Sequence, residues 1–499
     1  MNLSYQSTRG GERGLTASLA ILKGLAEDGG LFMPTGIPKL EVSIEKLAEM
    51  TYQETAYEVM KLFLTDFTEE ELKYCIDHAY DSKFDTSEIA PLVEKDGAYY
   101  LELFHGSTIA FKDMALSILP YLMTTAAKKN EVREEIVILT ATSGDTGKAA
   151  MAGFADVAGT RIIVFYPKGG VSKVQELQMV TQKGGNTSVV AIHGNFDDAQ
   201  TGVKQIFNDR RFAKELADQG FRFSSANSIN IGRLVPQVVY YVYAYAKLVK
   251  NHGLTAGDLI NVTVPTGNFG NILAAYFAKQ MGLPIGKLIC ASNDNKVLYD
   301  FFETGVYDRN REFVLTSSPS MDILISSNLE RLIYLSTGCD ATGTAGLMEQ
   351  LRTKGVYEVS PEMKECMKDF LGGYATEEEN AAMIRRLFEG TGYLIDTHTG
   401  VAAAVYADYV KATGDKTPTV IASTASPYKF SRSVVEAVCG EEKGEDEFEI
   451  IDELHKLSGV PEPKAVAEIR EAQVRHNREC DVDQMKAVVA DILGIKTDN

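Results

Sequence analysis

Close cysteine pairs are missing from this 499-residue chain. Its six cysteines, Cys75, Cys290, Cys339, Cys366, Cys439 and Cys480, are scattered, which excludes a disulfide framework and a cysteine zinc site and points to a reducing cytoplasm. No stretch of about 18 apolar residues occurs, and the opening Met-Asn-Leu-Ser-Tyr-Gln-Ser-Thr-Arg-Gly has no apolar signal core, so neither a membrane span nor secretion is expected. Positive charge is in deficit: 50 Lys and Arg against 69 Asp and Glu give a formal charge of -19, which repels phosphate backbones and anionic lipid. Nucleic acid and membrane are therefore not expected partners. Internal repeats and low-complexity tracts are also lacking.

What remains is a long globular chain, 45% hydrophobic, with material for more than one core. Residues 1–96 carry helical patterns at 43–64 and 68–78 around a Gly/Pro-rich loop at 28–34, and read as a mainly helical N-terminal domain. Beyond them the texture becomes α/β. Short β-branched runs at 136–140, 161–166 and 188–192 each precede a glycine turn and a helical pattern, the mark of βα units on a parallel sheet. A long helix is predicted over 231–250, with further strands at 259–264 and 287–291. The acidic, Lys-rich residues 441–499 read as a helical C-terminal extension, with the run at 441–449 on the solvated surface.

Parallel sheets bind ligands at the carboxyl ends of their strands, so the turns there carry the candidates. The first is Thr263-Val264-Pro265-Thr266-Gly267-Asn268-Phe269-Gly270-Asn271, which leaves an apolar strand and opens a helix. Glycines there let several main-chain N–H groups converge at a helix start, a phosphate cradle; an ordinary βα turn is the alternative. The second is Ser143-Gly144-Asp145-Thr146-Gly147-Lys148. Neither has Walker spacing or the order of a dinucleotide fingerprint, so nucleotide binding has no motif behind it.

In Leu103-Phe104-His105-Gly106-Ser107-Thr108-Ile109-Ala110-Phe111-Lys112-Asp113, a lone lysine stands among apolar neighbours before a helix. A partly desolvated amine loses proton affinity and can condense with an aldehyde, which makes Lys112 a candidate imine-forming lysine; a solvated surface charge is the alternative. His193 and His398 have no second histidine or cysteine at metal-ligand spacing, so structural roles and no metal are expected. Tyr240, Tyr241, Tyr243 and Tyr245 are expected to pack a buried helix.

The run from His105 to Asp113 resembles the His-Gly-Pro-Thr-x-Ala-Phe-Lys-Asp segment of the threonine synthase family, fold-type II pyridoxal-phosphate enzymes. Agreement extends in order to Ser7-Thr8-Arg9-Gly10, 24–34, 142–147, Gly194-Asn195-Phe196-Asp197-Asp198, Ser225-Ala226-Asn227-Ser228-Ile229-Asn230, 265–271 and 423–430. Ser107 stands where the family usually has proline and Ser426 where many members have histidine.

The resemblance implies two open parallel-sheet α/β domains of the tryptophan synthase β type: a larger one over 97–128 and 236–440 that binds the cofactor, and a smaller mobile one over 129–235. It implies pyridoxal 5'-phosphate as cofactor, with Lys112 as imine partner and proton shuttle, and Gly267, Asn268, Phe269, Gly270 and Asn271 on the phosphate. Thr424 would face the pyridine nitrogen. Ser143, Gly144 and Thr146 would face the substrate carboxylate, and Asp145, where relatives have asparagine, the cofactor's 3'-oxygen. The implied substrate is O-phosphohomoserine, its phosphate met by Arg233 and Lys173 with Ser225, Asn227 and Ser228, in a monomer or homodimer. Other reactions of the same cofactor, β-elimination by a dehydratase or β-replacement by a cysteine synthase, stay open, as does a non-catalytic ligand-binding relative.

Overall fold

The β-branched runs form two parallel sheets in a computed structural model that describes residues 3–142, 145–171, 173–441, 444 and 446–495. The larger sheet runs in the order Phe370–Tyr374, Ile285–Ser292, Ile260–Pro265, Thr419–Ser423, Ala98–Glu102, Leu92–Lys95. Its pairings are parallel except for the edge hairpin of Leu92–Lys95 with Ala98–Glu102. The smaller sheet, wholly parallel, has the order Arg478–Asp481, Thr187–His193, Thr160–Pro167, Glu135–Ala141, Phe221–Ser224. Strands such as Ile260–Pro265 are buried along their whole length, because helices cover both faces of a parallel sheet.

The predicted long helix spans Ile231–Asn251, and its four tyrosines are each 2% exposed or less. The helical pattern at 43–64 is broken into Ile44–Ala48 and Tyr52–Phe63. The break is chemical: Thr51 accepts from the Glu54 N–H while the Glu54 carboxylate returns to the Thr51 N–H, a capping box that starts a new helix. Thr68 and Glu71 do the same for Glu69–Ala79.

The C-terminal region holds the helices Glu447–Ser458, Lys464–Ala467 and Met485–Leu493. It also supplies Arg478–Asp481 as an edge strand beside Thr187–His193, an element without apolar alternation, since only Cys480 is buried. Ile450, Ile451 and Leu454 join the apolar cluster of the larger sheet, whereas Cys480, Met485 and Val489 join that of the smaller one. Residues 450–495 thus strap one sheet to the other. Within the acidic run, Glu447 leaves the solvated role expected of it: its carboxylate accepts from the Val174 N–H at 2.7 Å. No described helix is long and apolar enough to cross a membrane.

Candidate active site

The carboxyl end of the central strand Thr419–Ser423 holds the lysine loop in place. The Phe111 N–H donates to Thr424 O at 2.8 Å, the Ser426 N–H to Ile109 O at 3.0 Å, and Ala110 bridges Ala425. Below the loop, the buried Asp113 carboxylate accepts from the Thr108 N–H at 2.8 Å and the Thr108 hydroxyl at 2.6 Å. A Cβ on Gly106 would stand 2.6 Å from Asp113, so only glycine lets the loop close this tightly. Burial pushes the Asp113 carboxyl up, against the Thr108 bonds and the Lys429 and Lys148 charges. Lys112 therefore leaves a backbone fixed on both sides, at the start of the short helix Asp113–Leu116.

Facing it is the turn after Ile260–Pro265. Phe269 adopts the left-handed conformation, φ 64°, immediately before the helix Gly270–Met281. Among the described residues, none accepts a hydrogen bond from the main-chain N–H groups of Gly267, Asn268, Phe269, Gly270 or Asn271. The carbonyl side of the turn is pinned: Ser326 donates to Gly267 O at 2.6 Å, and both the N–H and side-chain amide of Asn328 donate to Asn268 O at 3.0 Å. Tyr240 donates to Asn271 Oδ1 at 2.9 Å and Tyr241 bonds the same oxygen, while Asn271 Nδ2 is buried without a partner. The two tyrosines thus serve the turn as well as the core.

Ser320 joins the two parts. Its hydroxyl lies 3.1 Å from Lys112 Nζ, and its carbonyl oxygen sits 2.3 Å from where a Gly267 Cβ would be. A lysine amine, a helix start with unpartnered amides and a buried orphan carboxamide nitrogen fit a phosphorylated aldehyde: the amides and dipole suit its dianion, and the amine its carbonyl. Thr424, 5% exposed, has no side-chain hydrogen bond to a described residue and fits a neutral partner for a ring nitrogen.

Three family patterns match in succession: threonine synthase N terminus over residues 4–80, pyridoxal-phosphate dependent enzyme over 90–426, and threonine synthase C-terminal over 399–478. Threonine synthase of Schizosaccharomyces pombe is 38% identical, with 87% of this chain and 88% of that protein covered. This chain belongs to the threonine synthase family. The crystal structure of PLP-bound threonine synthase from Brucella melitensis superposes with a TM-score of 0.87 at 35% identity, covering 98% of this chain and 99% of that one. Threonine synthase-like 1 of Macaca fascicularis is 41% identical over 84% of this chain, but the chain spans only 58% of that relative's length. As in the family's pyridoxal-phosphate enzymes, the cofactor is pyridoxal phosphate, and the fold is that of fold type II.

The other residues singled out from the threonine synthase motifs are placed unevenly. Ser143 and Gly144 lie outside the described residues, as does the side chain of Asp145; Thr146 is half-buried in the first turn of the helix Asp145–Phe154. The Thr142 hydroxyl oxygen accepts from the Gly147 N–H at 3.0 Å. Ser225, Asn227 and Ser228 form one turn, with the Asn227 N–H on Ser225 Oγ at 3.2 Å. Arg233 lies under it, 3% exposed, donating to Ala226 O at 2.8 Å while its Nε has no partner; burial lowers its pKa to about 10. Lys173 is not brought to that turn by any hydrogen bond or ion pair between described residues: its side chain is 63% exposed and pairs with Glu176 at 3.5 Å.

Motif reading passed over Ser320, Asn328, Arg331 and Asp396, and gave His398 only a structural role without naming its partner, the buried Asp396. Arg331 is fully buried and forks between Phe32 O at 3.1 Å, Ile229 O at 2.6 Å and Asn328 Oδ1. It ties the N-terminal region, the 225–230 turn and, through Asn328, the amide turn. No local pattern in Ser317-Ser318-Pro319-Ser320 or around Arg331 marks them, since their partners lie far off in sequence. For Asp396-Thr397-His398, the acid two residues before a histidine was an available signal.

Proposed function

We propose that this chain converts O-phospho-L-homoserine and water to L-threonine and phosphate. The observation that carries the proposal is the Lys112 amine held through Ser320 beside the main-chain amides at 267–271, which donate to no described residue. In this reading Gly267, Asn268, Phe269, Gly270 and Asn271 hold the cofactor phosphate, and Asp145 and Thr424 flank its ring. When bound, the cofactor supplies an electron sink for the substrate's α-carbon. A threonine partner hydrogen-bonds the ring nitrogen without forcing a proton on it, which moderates that sink.

Lys112 Nζ moves protons at the substrate carbons, the carbon–oxygen bond at the γ-carbon breaks as phosphate leaves, and water adds at the β-carbon. Ser143, Gly144 and Thr146 orient the substrate carboxylate. Ser225, Asn227 and Ser228 donate to the substrate phosphate, with Arg233 and Lys173 supplying charge; the partnerless Arg233 Nε supports the first of these. We read residues 97–128 with 236–440 as the cofactor domain, 129–235 as the mobile one, 1–96 and 441–499 as its flanks, and the cytoplasm as the compartment.

Purified full-length protein given O-phosphohomoserine is expected to release phosphate and threonine in equal amounts, and Lys112→Ala to release neither. A 2-oxo acid formed in place of threonine would reassign the chain to a dehydratase.

A further inference from the structure

Ser320 owes its position to a histidine that the reaction as described leaves without a role. The Ser320 N–H lies 3.1 Å from His398 Nε2, and His398 Nδ1 lies 2.8 Å from Asp396 Oδ2. A main-chain N–H can only donate, so Nε2 must accept, which leaves the ring proton on Nδ1, facing the carboxylate. Asp396 is 0% exposed, and its oxygens also take the His398 and Thr399 N–H groups, so its orientation is settled by the start of the helix Thr397–Thr413. Phe430 covers the imidazole, ring centroids 4.8 Å apart.

The geometry points to His398, aimed by Asp396, as a positioning residue that sets Lys112 by holding the Ser320 turn. Asp396 fixes the tautomer, the imidazole fixes the Ser320 main chain, and Ser320 presents its hydroxyl to Lys112 Nζ and its carbonyl to Gly267. One neutral histidine thereby sets the distance between the lysine and the amide turn. The inference rests on the reading of Lys112 as the cofactor lysine.

The test loads full-length apoprotein with pyridoxal phosphate, quenches with borohydride at intervals, and follows by mass spectrometry the fraction of Lys112 peptide carrying the reduced cofactor. Urea unfolding of each variant is recorded alongside. His398→Gln keeps an acceptor near the Nε2 position and is expected to label near the wild-type rate. His398→Leu keeps bulk without an acceptor and is expected to label about tenfold more slowly, as for the loss of one net hydrogen bond. Ser320→Ala, at a partly exposed site that leaves the buried histidine untouched, is expected to label slowly with an unchanged unfolding midpoint. Labelling of Ser320→Ala at the wild-type rate, or equal slowing by Gln and Leu at position 398, overturns the inference alone. Wild-type protein that never carries the label on Lys112 overturns the cofactor reading as well.

Discussion

Gly267 and Ser320 approach so closely that a methyl group on the glycine would stand 2.3 Å from the serine carbonyl oxygen. No real Cβ tolerates that distance, so Gly267→Ala must push the Ser320 turn away from both the amides and Lys112. The expected result is at least about a tenfold weaker affinity for pyridoxal phosphate, measured by titrating apoprotein with cofactor. An unchanged dissociation constant would separate the Ser320 turn from cofactor binding.

Arg331 is the second joint. Lysine at this position keeps the charge but cannot fork, so two of its three oxygen partners lose their donor. Arg331→Lys is expected to lower stability by about 2–4 kcal/mol, the scale of losing two charge-assisted hydrogen bonds. Urea unfolding reads this directly, and a shift below about 0.5 kcal/mol, typical of a surface change, would show that the fork contributes little.

His105 sits between Asp85 and Glu102 at 2.5 and 2.9 Å. Burial alone would lower its pKa, but the hydrogen bonds and charges of the two carboxylates outweigh it and push the value up to about 9. Because the folded value lies above the unfolded one of about 6.5, the added stability is complete below about pH 6.5 and is lost as pH rises through about 9. With Asp85 half in solvent, the loss should be about 1–2 kcal/mol. Unfolding free energy measured from pH 6 to 10 is expected to show this fall in wild type and not in His105→Gln.

Gly153 lets the helix Asp145–Phe154 lie directly on the lysine helix: a Cβ there would stand 2.2 Å from Leu116 O. Gly153→Ala must separate the two helices and is expected to destabilise the protein by about 1–3 kcal/mol, despite alanine's better helix propensity. A rise in thermal midpoint would show that the contact yields without strain.

The parallel strands, the long tyrosine-rich helix and the glycine turn at 265–271 were legible in the sequence because each depends on local pattern: β-branched runs, helical periodicity, and glycines where a turn demands them. The loop that carries Lys112 into a helix was legible for the same reason, since its segment is contiguous. What only the tertiary structure decided is how these pieces meet. Ser320 reaches Lys112 across 208 positions, and Arg331 reaches Phe32 across 299. Contacts of such separation leave no periodicity in the chain, because their geometry exists only after both sheets have formed. The edge strand Arg478–Asp481 was hidden likewise: its main-chain hydrogen bonds to Thr187–His193 make it a strand, and main-chain bonding is the same for every residue but proline.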